Sequence, residues 1–228
     1  MKILAVETST DACSAALWID GECRQEFALA PREHTKLILP MIDQLMSEAG
    51  LRPQQLDAIG LSRGPGSFTG VRIAGAVVQG IAFGADLPVA PVSTLAAIAQ
   101  DHFNRHPDSQ LAFTAMDARM DEIFWGCYGR SDLGLAELHG EEVVTPADQV
   151  AFPARTGYGV GSGWGVYQAV LSNTLSPYLH AIEAEVWPSA ACIAQIAALM
   201  VANGATVPVE QAMPVYLRDK VAKKQNER

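Results

Sequence analysis

Apolar and polar positions along this chain divide it into two strand-rich units. Residues 2–7 are a mostly apolar run, the mark of a central strand, followed by the polar turn of residues 8–11. Residues 13–19 and 23–29 read as two further strands joined at Asp20-Gly21, a strong hairpin signal. The pattern then predicts a helix over 34–49, a short buried strand over 56–61, a helix over 69–84, a strand over 87–91 and a helix from 93 to about 106. A second unit opens at 110–116, turns at 117–120 and returns at 122–128. After it come a strand over 135–144, a capped helical turn over 145–150, and a helix over 189–202 ended by Asn203-Gly204. Residues 157–164, rich in glycine, read as a strand end; no strand–helix–strand context is evident there for a nucleotide-binding loop. The expected division is an N-terminal lobe over 1–106, a smaller C-terminal lobe over 107–205, and a segment over 206–228 that returns to the first lobe.

Two of these helices are apolar on too many sides. In the first, Leu37, Ile38, Leu39, Met41, Ile42, Leu45 and Met46 cover an arc of roughly 200°, about twice the stripe that one core requires. Pro40 inside it removes a backbone hydrogen bond and predicts a kink or a late regular start. In the second, only Arg72 and Gln79 carry long polar side chains, while Gly70, Ala74, Gly75, Ala76, Gly80, Ala82 and Gly84 keep the surface thin. Each interior glycine costs about 0.8–1 kcal/mol relative to alanine, so close backbone approach by neighbours, within the chain or from a partner, is expected to offset it.

The second helix is launched by Gly64, Pro65 and Gly66, with Ser67 or Thr69 placed to cap its first free amides. A strand, glycine turn and helix collect free N–H groups at the positive end of the helix dipole, which suits an anion or a partner's carboxylate. A capped turn with no ligand fits the same spacing. No lysine follows the glycines, which excludes the Walker pattern.

Bulk composition narrows the function classes. With 228 residues, 49% hydrophobic and 18% charged, the chain can bury a sizeable core. A net charge of -9 argues against gripping a nucleic-acid backbone unaided. Residues 218–228 balance at +3, a basic tail of the kind that is usually solvated, and leave -12 on the rest. Cys13, Cys23, Cys127 and Cys192 form no CxxC pair and sit in apolar segments, which predicts reduced buried thiols. The apolar run of residues 190–201 is too short to span a bilayer, and the expectation is a cytoplasmic protein with no membrane contact.

The opening order of strand, Thr/Ser turn, strand, Asp-Gly turn and strand resembles the start of actin-like ATPase and sugar-kinase folds. In those folds the first turn carries an Asp and a Gly facing phosphate and magnesium; here Glu7 and Thr8 stand in their places. More specifically, the chain resembles the TsaB (YeaZ) family of tRNA threonylcarbamoyladenosine biosynthesis. The resemblance rests on Ile3-Leu-Ala-Val-Glu-Thr-Ser9, Pro31-Arg-Glu-His-Thr35, Arg63-Gly-Pro-Gly-Ser-Phe-Thr-Gly-Val-Arg72, Val92-Ser-Thr-Leu95, Asp117-Ala-Arg-Met120 and Pro214-Val-Tyr-Leu-Arg218. It is dense over the first 106 residues and sparse beyond them.

That resemblance implies a two-lobed α/β fold of the actin-like ATPase (ASKHA) class, with mixed sheets and flanking helices. It further implies a scaffold and activator without catalytic, cofactor or metal residues of its own. The partners it implies are the catalytic paralogue TsaD and the ATPase TsaE, with a homodimer when the chain is alone and tRNA reached only through the complex. The expected interface residues are His34, Leu37, Ile38, Met41 and Leu45 on the first helix and Gly70, Ala74 and Val77 on the second.

Two enzyme readings compete with it. A metal-dependent, glycoprotease-like enzyme would need the His-x-Glu-x-His motif that the paralogue carries on the helix after the strand at 87–91. Here that helix begins Ser93-Thr-Leu-Ala-Ala-Ile-Ala99. His102 and His106 have helical i, i+4 spacing, but helix-end capping accounts for them and no third ligand is evident nearby. An actin-like kinase would draw magnesium or base roles from Asp11, Asp20, Asp117 and Asp121, of which the first three are explained by turns and caps. No Gly-x-Ser-x-Gly elbow favours a serine hydrolase.

Overall fold

Two five-stranded sheets of the same topology carry the chain, described over residues 1–218 by a computed structural model. The first contains β1 (Lys2–Glu7), β2 (Ala12–Ile19), β3 (Glu22–Leu29), β4 (Ala58–Ser62) and β5 (Val89–Val92) in the order β3-β2-β1-β4-β5. β1 and β2 and then β2 and β3 pair antiparallel, whereas β1, β4 and β5 run parallel. Helices α1 (His34–Glu48), α2 (Phe68–Ala85) and α3 (Thr94–Arg105) connect and leave this sheet. The second contains β6 (Leu111–Asp117), β7 (Glu122–Arg130), β8 (Ala136–Pro146), β9 (Gly157–Val160) and β10 (Leu179–Glu183), in the order β8-β7-β6-β9-β10. Here too a hairpin series precedes a parallel set, with α4 (Ser162–Leu175) between β9 and β10, and α5 (Ala190–Ala202) follows. This is the two-lobed actin-like architecture.

Strand alternation decides which helix covers which face. Leu4, Val6, Ala15 and Leu17 pack under α1 and α2, while Ile3, Ala5 and Ala16 point the other way onto α5. In the second sheet Leu111, Phe113 and Ala115 meet Trp164 of α4, and Ala112 and Met116 meet α3. Pro40 sits inside α1, which nevertheless continues unbroken to Glu48.

Four sequence expectations need correction. Helix α5, assigned above to the smaller lobe, covers the first sheet, because its alanine-rich face fits closely over Ala5 and Gly60. Residues 145–150 form no helix; β8 extends to Pro146 and ends in a turn. The glycine-rich stretch of 157–164 does lie in a strand–helix–strand unit, since β9 and β10 are parallel and α4 joins them. Its helix was obscured by Gly161, Gly163 and Gly165 and by the non-helical Tyr167. Finally, Cys23 is exposed on the edge strand β3, although all four thiols are free. Residues 207–215 touch the first lobe, where Val207 bridges Val89 and Val215 N–H donates to the Arg63 carbonyl at 2.8 Å, but Arg218 crosses to the second lobe and pairs with Glu122. Apart from Arg218, the basic tail falls outside the described residues.

Candidate functional site

The junction of β4 and α2 is built as the sequence suggests, but the chain itself occupies it. Ser67 caps α2, its Oγ accepting from Gly70 N–H at 3.4 Å, while Ser67 N–H donates to the Ser9 carbonyl at 2.7 Å. Thr8 Oγ1 donates to the Gly70 carbonyl at 2.7 Å. A Cβ at Gly66 or Gly70 would overlap the Ser9 or Thr8 carbonyl, so these two glycines exist to let the first turn press onto the helix start. Beneath this contact Glu7 is fully buried. Its Oε1 accepts from Ser9 N–H and from Ser9 Oγ, while Oε2 has no partner. Burial pushes the Glu7 carboxyl above its ordinary range against the opposing hydrogen bonds of Ser62 and Ser9, which favours the neutral acid. A carboxyl sealed from solvent in this way has no open side for magnesium.

Between the lobes lies a cleft of about 620 Å³ lined by Ser9, Asp11, Ser67 and Phe68 from one side and Asp117, Ser162 and Trp187 from the other. Of the four kinase candidates, Asp11 and Asp117 reach this cleft. Asp117 is held by its own turn, accepting from Arg119 N–H at 2.8 Å and pairing with Arg119 Nη1 at 3.0 Å. Asp20 takes the N-terminal ammonium, and Asp121 occupies a positive-φ turn position. At the cleft mouth the Arg72 guanidinium lies over Phe68, 3.2 Å from its ring centroid, and 4.9 Å from Tyr216. A further lobe contact escaped the sequence reading: Ser93 and Tyr128 both donate to Glu142, whose other oxygen lies 3.6 Å from Arg63 Nη2. Only the fold brings Glu142 to these partners.

The two over-apolar helices lie side by side, and the structure divides the expected interface residues into two sets. His34, Ile38, Leu45, Gly70 and Ala74 are buried in this chain's own core. His34 ties α1 to the first turn, its Nε2–H donating to the Thr10 carbonyl at 2.8 Å. None of these five presents a surface to a partner. Leu37, Met41 and Val77 are half-exposed at the rim of that core. The outward face instead carries Leu39 on α1 and Phe68, Ala76, Gly80, Phe83 and Gly84 on α2, with Phe83 79% exposed and Leu39 54% exposed. The Thr8 carbonyl explains Gly70, a Cβ at Gly75 would make only ordinary contact with Pro214, and a Cβ at Gly80 or Gly84 would meet nothing among the described residues within 4 Å. Phe83 could have been found from its position: it is the one aromatic residue in the small-residue stretch that closes α2. Over its 18 residues α2 has mean hydropathy 1.3, long and apolar enough to cross a membrane, and a third of them are buried against the sheet.

Comparison with known proteins decides the family. A profile described as "TsaD: tRNA N6-adenosine threonylcarbamoyltransferase" matches residues 28–225. The tRNA threonylcarbamoyladenosine biosynthesis protein TsaB of Escherichia coli K12 is 41% identical, over 97% of this chain and 96% of its own length. The protein of the same name from Haemophilus influenzae is 38% identical over 97% of this chain and 95% of its own. A solved structure, YeaZ from Pseudomonas aeruginosa, superposes with a TM-score of 0.88 at 42% identity, covering 95% of this chain and 99% of that one. The chain belongs to the TsaB (YeaZ) family. Within it lies the wider relationship to the transferases: the threonylcarbamoyltransferase of Pelodictyon phaeoclathratiforme is 31% identical over 47% of this chain and 37% of its own length.

Against that family background, the helix that could have carried a His-x-Glu-x-His motif, α3, begins with Thr94, Leu95, Ala96, Ala97 and Ile98, all buried. Its far end is less bland than helix-end capping suggests. His102 is fully buried, and β10 supplies the third ligand type that the local sequence lacked: His102, His106 and Glu183 place their donor atoms within 4.8 Å of one another. His102 also completes a chain from Ser109 Oγ (2.9 Å from Nε2) to Glu183 Oε2 (3.2 Å from Nδ1), the order of a hydrolytic triad. Ser109 is buried and lines neither this cleft nor the groove beside Glu183, so no substrate carbonyl reaches it. Burial likewise holds the Cys13 thiol at about 11 and those of Cys127 and Cys192 at about 12, leaving them protonated and unreactive.

Proposed function

We propose that this chain serves threonylcarbamoyladenosine biosynthesis in tRNA as a non-catalytic scaffold and activator, docking a TsaD-type threonylcarbamoyltransferase through the outer face of α1 and α2. The observation that carries the reading is the stripe of Ala76, Gly80, Phe83 and Gly84: thin, apolar and exposed, with two glycines that nothing among the described residues explains. Such a surface suits the close approach of another helix, and Phe83 is a projecting anchor for a partner's pocket. The names borne by the relatives supply the pathway. The neutral Glu7 and the plugged α2 terminus support the absence of phosphate chemistry. A second copy of the chain is the natural occupant of the same face when the transferase is absent, which makes homodimer and heterodimer mutually exclusive. A TsaE-type ATPase joins the assembly elsewhere, tRNA is reached through the complex because the chain carries -9, and the four free thiols fit a cytoplasmic setting.

The test is co-expression with a TsaD-type transferase, followed by co-purification and an assay of threonylcarbamoyl transfer. The expected result is a stoichiometric complex and transfer that depends on this chain, with neither transfer nor ATP turnover by the chain alone. Steady turnover by the isolated chain would overturn the non-catalytic assignment, and failure to form the complex would overturn the docking assignment.

A further inference from the structure

We infer that His102, His106 and Glu183 form a zinc site that fastens the end of α3 to the end of β10. His102 lies in the last turn of α3 and His106 is the residue that caps its C-terminus, while Glu183 is the last residue of β10, an edge strand of the second sheet. Glu183 Oε1 lies 2.6 Å from His106 Nε2 and Oε2 lies 3.2 Å from His102 Nδ1. These are direct hydrogen-bond contacts, and a tetrahedral Zn²⁺ at about 2.0–2.2 Å from each donor takes the place of the His106–Glu183 contact once those side chains part by roughly 1 Å. Two imidazoles and a carboxylate are a borderline donor set that suits zinc and disfavours magnesium or calcium, which prefer all-oxygen shells.

The surroundings are those of a ligand set held in place. With Nδ1 on the metal, His102 keeps its proton on Nε2 and donates it to Ser109 Oγ at 2.9 Å, the outer hydrogen bond that orients a ligating histidine. Arg105 Nη2 donates to Glu183 Oε2 at 2.7 Å, which leaves Oε1 facing His106. Asp101 in turn holds Arg105 Nε at 2.8 Å. Tyr158 packs on both imidazoles, its ring centroid 4.6 Å from His102 and 5.9 Å from His106, so the rings are fixed before metal arrives. The adjoining groove is lined by Asp101, Glu183 and Glu185 against Arg105, an excess of negative charge that draws a dication. His106 is 40% exposed, which gives the metal an entry path and leaves room for water as the fourth ligand.

The experiment uses the full chain, stripped with a chelator and titrated with Co²⁺ as a spectroscopic probe, then with Zn²⁺ in competition. One equivalent of Co²⁺ per chain should bind with visible ligand-field bands of a four-coordinate ion, Zn²⁺ should displace it, and bound Zn²⁺ should raise the melting temperature. His106→Gln and Glu183→Gln should each weaken binding more than about 100-fold, and Ser109→Ala by roughly 10–100-fold as an orienting partner. His180→Gln, which alters the other histidine packed on Tyr158, should leave the affinity unchanged. The ion-pair alternative, in which Glu183 merely bridges His102, His106 and Arg105, gives no saturable binding by the native chain, and that result overturns the site. Native-like affinity in both ligand variants, or loss of binding in His180→Gln, overturns the assignment of these three ligands.

Discussion

The two lobes repeat one plan, yet only the first pairs two helices into a broad apolar outer face. In each, a three-stranded antiparallel series is followed by two parallel strands, and the helix between those strands starts at a glycine turn: α2 after Gly66 and α4 after Gly161. The first lobe inserts α1 between its third and fourth strands, whereas the second has only loop over 147–156. Helix α2 therefore has a neighbour and the pair makes a broad outward surface; α4 is shorter, breaks regularity at Tyr167 and exposes a mixed face, Val166 and Val170 alongside Gln168 and Asn173. At the glycine turns the contrast is similar. Gly66 admits the Ser9 carbonyl, while Gly161, at φ +102°, and Gly163 admit Ala115. Duplicated geometry has been used in both lobes for packing, and what differs is how much apolar helix surface is left open to solvent.

The largest effect should come from mistaking one side of α2 for the other. Ala74 is wholly buried under the first sheet, so Ala74→Glu places an unpaired charge in the core and should cost roughly 3–5 kcal/mol, unfolding the first lobe. Nine residues on, Phe83→Glu should leave the melting temperature within a degree or two of native and remove association, by about 2 kcal/mol or more for a central anchor. Thermal melts and sedimentation on both variants check the pair. Equal melting temperatures, or a Phe83→Glu protein that still associates, would break the contrast between the two faces.

Glu7 gives a smaller effect that depends on pH. Its folded-state pKa is raised, so its contribution to stability is fully present below the unfolded value and is lost as pH rises through the folded one. Native protein should therefore lose stability from pH 5 to pH 8, as the buried carboxyl is forced to ionise. Glu7→Gln keeps the shape without the ionisation and should flatten that dependence, melting higher than native at pH 8 and no higher at pH 5. Parallel slopes in the two proteins would count against a neutral Glu7.

Much of the first lobe was legible because each element there announces itself locally. Asp20-Gly21 marks the hairpin, Ser67 and Ser93 cap their helices, and the apolar arc of α1 is too wide for one core. What periodicity could not say was which part of that arc faces inward. Ile38 and Leu45 fit the same helical pattern as Leu37 and Met41, and only the position of the sheet separates them. The second lobe was harder for a different reason: glycine depresses helix propensity, so α4 was hidden at its first turn by Gly163 and Gly165. The Glu183 contacts and the Glu142 clasp were beyond any local reading, since each meets residues about 50 to 80 positions away.

Gly80 offers the smallest and most discriminating change on the open face. It lies mid-helix with ordinary helical neighbours, and an added methyl would meet nothing within 4 Å. By propensity alone Gly80→Ala should stabilise the isolated chain by about 0.8–1 kcal/mol, a rise of some 2–4 °C for a protein of this size. If a partner helix approaches closely along Ala76, Gly80 and Gly84, the same methyl stands in its way, and association should weaken several-fold while the monomer melts higher. Opposite signs for folding and binding from one methyl group are hard to obtain unless the glycine serves an external contact. The measurement is a pair of titrations on one variant: a thermal melt at concentrations where the chain is monomeric, and sedimentation across the range where native protein associates. A stabilised chain whose association is unchanged would leave the Phe83 end of α2 as the contact and remove Gly80 from it.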